Sequence, residues 1–213
     1  MNTKKDYFMD KSKKLFDESK FVRKKIPEQI EFETSMKDFL PEFGEIFKEA
    51  FHMTQKERAL KKPNFRDRNW EAVTMSGNIK GLLTERFPEY ILQDGYRYYF
   101  YMKDRYIIYF KKLDNKLLPS NIMTENTHKI NCQYALPEED PIPVIFIGYT
   151  VNTTFDELTG YYAVCMKDEE KKWVSDLSFQ HSKSSFGSYI NEDSEENVSM
   201  VRLKDNKKNR NSS

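Results

Sequence analysis

Glycine, cysteine and histidine are all scarce in this 213-residue chain, and each shortage removes a class of function. Seven glycines occur where about fifteen would be usual. They are scattered at Gly44, Gly77, Gly81, Gly95, Gly148, Gly160 and Gly187, so neither a P-loop nor a dinucleotide-binding fingerprint exists. The two cysteines, Cys132 and Cys165, belong to no C-x-x-C pair, which excludes a disulfide scaffold and a zinc ribbon and fits a reducing compartment. With three histidines and no H-E-x-x-H, G-x-S-x-G or EF-hand pattern, no metal and no cofactor are expected. Long apolar runs are missing too. The longest, Val144 to Ile147, falls far short of the roughly 20 residues of a membrane helix. The N-terminal MNTKKDYFMDKSKKLF lacks the apolar stretch of a signal peptide, so a cytoplasmic protein without membrane contact is expected. Net charge is also lacking: 35 Lys and Arg face 34 Asp and Glu, which excludes a wholly basic binder and an acidic disordered chain.

Aromatic and charged residues are abundant instead, at 15% and 32%. The charges are segregated along the chain. Residues 1–25 carry nine positive against four negative charges, 26–55 two against seven, 56–68 six against two, and 137–160 none against five. An amphipathic helix is expected in 1–25 from Phe8, Leu15, Phe16 and Val22. Met36, Phe39, Leu40, Phe43, Ile46, Phe47 and Ala50 recur at three and four, the cleanest helical pattern, with Thr34 or Ser35 as N-cap and Pro41 in its first turns. Residues 56–68 read as a linker or exposed turn. A further helix follows from Trp70, with Val73, Ile79, Leu82, Leu83 and Phe87 on one face, ending at Phe87-Pro88.

Beyond that point the pattern becomes that of strands. Tyr96 to Met102 and Tyr106 to Leu113 form a hairpin around Lys103-Asp104-Arg105, with Tyr96, Tyr98, Phe100 and Met102 on the core face. A short helix capped by Thr124, a buried strand from Val144 to Thr150, and a second hairpin flanking residues 167–172 complete the order. The fold class is therefore α+β, with N-terminal helices packed on a mainly antiparallel sheet of about four or five strands and a disordered C-terminal tail. The organisation expected is a helical segment over 1–62, an α+β core over 63–181 and a polar tail over 182–213.

The first hairpin is the most distinctive feature. Its aromatic rings alternate with cations, and the candidate nucleic-acid-binding set is Arg97, Tyr99, Tyr101, Lys103, Arg105, Tyr109, Lys111 and Lys112. Rings on a sheet stack bases while flanking cations meet phosphates. The competing reading is that these rings are ordinary core and cross-strand pairs. His128 and Cys132 lie four apart and share a helical face, but completing a metal site with Cys165 and His181 requires a spacing found in no familiar zinc module. Cys132 as a nucleophile beside His128 lacks an orienting acid other than Glu125. Asp104, Asp168, Glu169, Glu170 and Lys171 hold nuclease-type side chains, yet they read as turn residues. No catalytic residues are assigned. The expected function is a non-enzymatic accessory protein whose partner is nucleic acid or another protein. The alternatives are a metal-independent nuclease of toxin or defence type, using His128, Arg97, Arg105 and Tyr99, and a purely protein–protein module.

Overall fold

In the computed structural model, residues 22–95, 97–120, 124–135 and 141–178 are described. Most of the expected N-terminal amphipathic helix, Tyr96, His181 and the polar tail lie outside them; where that helix is expected to reach Val22, the chain is instead the strand Val22–Arg23, paired with Tyr134–Ala135. The elements run β1 (Val22–Arg23), α1 (Gln29–Met36), α2 (Leu40–Leu60), α3 (Arg68–Arg86), β2 (Ile91–Asp94), β3 (Arg97–Met102) and β4 (Tyr106–Lys112). They continue with α4 (Glu125–Asn131), β5 (Tyr134–Ala135), β6 (Val144–Val151), β7 (Leu158–Lys167) and β8 (Glu170–Asp176). The fold is α+β. Its six-stranded sheet has the order β2-β3-β4-β6-β7-β8 and is antiparallel except where β4 lies parallel to β6; β1 and β5 form a separate two-stranded ribbon. No helix among the described residues is long and apolar enough to cross a membrane.

Helices α2 and α3 cover one face of the sheet. Phe39, Phe43, Phe87, Tyr90, Phe100 and Phe110 meet there as a cluster of rings, mostly edge-to-face, the geometry their quadrupoles favour. The periodic residues Met36, Leu40, Phe43, Ile46, Phe47 and Ala50 are all buried in this core, and it extends from Phe32 to Leu177. The opposite face carries a smaller cluster of Leu113, Val144, Phe146, Val164 and Met166, against which Ile130 of α4 and the loop residues Leu117 and Leu118 pack.

Several local expectations change. The helix expected from Thr34 or Ser35 is split: those residues lie within α1, and α2 begins at Leu40 because Pro41, with no N–H to donate, is tolerated only in a first turn. The stretch 56–68 is not simply a linker, since α2 continues to Leu60 and Asp67 caps α3 by accepting from Trp70 N at 2.7 Å. Val73 is 63% exposed; Met75, at the proper four-residue spacing from Ile79, takes the inward position. The second hairpin turns in only two residues, Asp168 and Glu169, so most of the charged stretch is strand. A sixth strand, β2, was not expected. Gly148 of β6 is the glycine that close packing requires: a Cβ there would lie 2.5 Å from Leu113 Cγ and 2.6 Å from Lys111 O.

Burial also makes the fold sensitive to alkali. The Cys165 thiol, wholly buried in β7, is pushed from 9.0 up to about 12, and the Tyr98 phenol from 10.0 up to about 12, in both cases mainly by desolvation. Both acids are raised in the folded state, so their contribution is complete below the unfolded values and is lost as pH climbs through the folded ones. Urea midpoints are therefore expected to hold up to about pH 9 and to fall steadily between 9 and 12. A midpoint that stays level across that window would contradict this burial.

Candidate nucleic-acid interface

The eight hairpin residues separate into three places. Strand alternation puts Arg97, Tyr99 and Tyr101 of β3 and Tyr109 and Lys111 of β4 on the face turned away from α2 and α3. The Tyr99 and Tyr109 rings lie 5.7 Å apart, Tyr109 lies 6.2 Å from Phe146, and Tyr99, Tyr101 and Tyr109 are all half-buried. Lys112 points to the other face, where its ammonium sits 5.5 Å from the centroid of the Phe155 ring. Lys103 and Arg105 belong to the exposed turn at the opposite end of the strands, about 20 Å from Arg97 at the usual rise per residue. Arg105 there lines a separate cleft with Lys25, Glu31 and Pro141. Tyr98, Phe100 and Met102 face the helices, as the alternation requires.

The ladder pairs of β3 with β4 among the described residues run from Met102↔Tyr106 to Phe100↔Ile108. Beyond them, the far ends of both strands line a groove of about 580 Å³ that reaches α3 on one side and α4 on the other. Arg97, Lys111 and Lys112 all line it, together with the hydroxyls of Ser76, Thr124 and Thr127, and no carboxylate is among its described lining residues. A recess of about 40 Å³ beneath Tyr109, between Arg97, Lys111 and Thr127, adjoins it.

The electrostatics of the groove are set by its two lysines. Burial holds the Lys111 amine below its ordinary value, and the Arg97 guanidinium lowers it further. Lys112 is lowered by burial and by Arg68, and raised in part by Glu71. That glutamate is itself engaged by Arg58, with Nε 2.9 Å from Oε1. The groove floor remains uncharged. Tyr98 donates to Ser76 O at 3.2 Å, and Tyr149 is likewise held protonated by burial, so neither offers a negative charge to the lysines. An anion entering here regains the charge interaction that desolvation has taken from Lys111.

The groove is also lined by Ser76, Thr127, Tyr98 and Tyr149, which sequence reasoning did not single out, because a core-facing tyrosine and a helical threonine carry no local mark of a groove. The Thr124 cap itself is present, accepting from Thr127 N at 3.2 Å. Arg68, at the end of the basic stretch 56–68, acts electrostatically on Lys112 but is not among the described residues that line the groove. The set His128, Arg97, Arg105 and Tyr99 does not converge: Arg105 is at the far tip, and His128 is turned to Glu169. Comparison of the chain with protein-family models, curated proteins and solved structures finds no match.

Proposed function

We propose that this protein binds single-stranded nucleic acid, as an accessory rather than a catalytic component. The observation that supports this most directly is the gathering of Arg97, Lys111 and Lys112 around a groove whose described lining includes no acid. Phosphates would occupy that groove, within reach of the two lysines and the hydroxyls of Thr124 and Thr127. Bases would continue over the half-exposed rings of Tyr99, Tyr101 and Tyr109, where stacking is worth about 1–3 kcal/mol per base. A stacking surface of this kind tolerates any base, so the recognition is of backbone and ring rather than of sequence.

The test is fluorescence anisotropy with oligo-U and oligo-dT over a salt series. Three phosphate contacts on a single strand predict that the variant Arg97→Ala/Lys111→Met/Lys112→Met lowers the log–log salt slope by about 2. It should also weaken binding at low salt more than about tenfold. Arg105→Ala, at the remote tip, is the control that should bind normally. Because Lys111 is a desolvated cation beside another cation, Lys111→Met alone should raise the urea midpoint while weakening binding. Retention of both oligonucleotides by the triple variant, or equal losses in Arg105→Ala, would discard the reading.

A further inference from the structure

A second cluster of chemically active side chains lies at the C-terminal end of α4, apart from the groove. His128 and Cys132 are one helical turn apart and project to the same side. The third member, Glu169, is 37 residues beyond Cys132 and comes from the β7–β8 turn. Asp168 and Glu169 both have positive φ, 51° and 66°, as a two-residue hairpin turn of this hand requires. Glycine, asparagine or aspartate is the ordinary occupant of such a position, and glutamate is disfavoured there. The turn nevertheless places the Glu169 carboxylate on the imidazole: His128 donates from Nδ1 to Glu169 Oε1 at 2.7 Å. Cys132 Sγ lies 3.7 Å from Nδ1 and 3.9 Å from Nε2 of the same ring. One donor atom from each of the three residues falls within 4.8 Å of the other two.

We propose that His128, Cys132 and Glu169 form a divalent metal site of zinc type that ties α4 to the β7–β8 turn. Imidazole, thiolate and carboxylate are the donors that tetrahedral zinc takes, whereas calcium and magnesium require oxygen donors that this set does not offer in number. Bond lengths of about 2.0–2.3 Å place tetrahedral ligands roughly 3.3–3.7 Å apart. The His128–Cys132 separation is already close to that edge. The His128–Glu169 contact is shorter because a proton, rather than a cation, now sits between the two groups. Loading the site releases the thiol proton and passes the Nδ1 proton to Nε2 of the ring, while donor atoms that now lie within 4.8 Å of one another close by up to about an ångström. The side chains of His128 and Glu169 are 16% and 22% exposed, so a cation can enter and its fourth position faces solvent-accessible space. A metal here also steadies α4, whose first residues line the groove, although the site stands on its own geometry and not on the nucleic-acid reading.

A thiol–imidazole nucleophile is the rival use of the same residues. The sulfur lies almost equidistant from both ring nitrogens rather than in line with one, and Cys132 lines none of the clefts described above. Coordination of one ion from three directions asks for neither alignment nor a substrate cleft.

The experiment is titration of the EDTA-treated full-length protein with Co²⁺ followed by absorption, and with Zn²⁺ by calorimetry. Saturation at one equivalent is expected, with a thiolate-to-cobalt charge-transfer band and the visible bands of tetrahedral cobalt, both displaced by zinc. Cys132→Ser should abolish the charge-transfer band, while Cys165→Ala should keep it. Glu169→Gln, a change that keeps the side chain's size in a two-residue turn, should weaken zinc binding by about ten- to a hundredfold. The absence of saturable binding, a thiolate band that survives Cys132→Ser, or an affinity indifferent to Glu169→Gln would each overturn the assignment.

Discussion

Replacing Phe43 by alanine is expected to destabilise the protein by about 3–5 kcal/mol. Phe43 is fully buried where α2, α3, β3 and β4 meet. Its ring lies 5.2 Å from Phe110, 5.3 Å from Phe100, 5.7 Å from Phe87 and 6.4 Å from Phe39. Truncation removes the transfer free energy of the ring, the edge-to-face terms of about 0.5–1.5 kcal/mol each, and leaves a cavity. That cavity cannot collapse easily, because its walls are side chains fixed to two helices and two paired strands. Since domains of ordinary size are stable by only about 5–15 kcal/mol, the loss is a large share of the whole. Urea unfolding followed by the fluorescence of Trp173, which packs 5.4 Å from Phe32, reports it. Phe43→Leu, which fills part of the space, should fall between the two proteins. A loss below about 1 kcal/mol for the alanine variant would show that the ring does not hold these four elements together.

The second large effect is expected at a polar residue. Gln133 is 1% exposed, adopts φ 57°, and connects three segments through one amide. Its Nε2 donates to Val144 O at 2.7 Å and to Met166 O at 3.1 Å, while its Oε1 accepts from Val144 N at 2.9 Å. Gln133 O also accepts from Lys24 N at 2.9 Å, so the residue fastens the start of β6, the end of β7 and the strand β1 region. Gln133→Leu preserves the volume but strips these backbone groups of their partner. At about 1–3 kcal/mol for each buried group left unsatisfied, a total loss of about 3 kcal/mol is expected. Faster amide exchange at Val144 should accompany it and would localise the cause. If Gln133→Leu left both stability and Val144 exchange unchanged, water would be replacing the amide.

Periodicity made a good part of this architecture legible in advance. Phe43, Ile46, Phe47 and Ala50 were recognisable as a buried stripe because a helix repeats every 3.6 residues whatever it packs against. Phe100 and Tyr98 fell on the correct face of β3 because a strand alternates every two. The start of α2 was misjudged because apolar spacing continues smoothly through Pro41, where the hydrogen-bond ladder must reset. Strand β2 escaped notice because Ile91–Asp94 is four residues long and half polar; its pairing with β3 defines it, and not its own composition.

The candidate sites divide along the same line. The sequence alone determined that cations and rings alternate along 97–112 and that His128 and Cys132 share a helical face, since both are consequences of local repeats. Only the tertiary structure decided that Arg97, Lys111 and Lys112 meet around one groove while Lys103 and Arg105 lie at the far tip. It alone brought Glu169 to His128, where the sequence had offered Cys165, which is buried in the sheet instead. The physical reason is that a backbone repeat is set within a few residues, whereas convergence depends on strand order, register and the direction of each turn. Those are fixed by packing across the whole sheet, above all by the parallel pairing of β4 with β6 across a long connection that contains α4 and β5. The near-zero net charge followed from counting residues; the local basic groove followed from folding them.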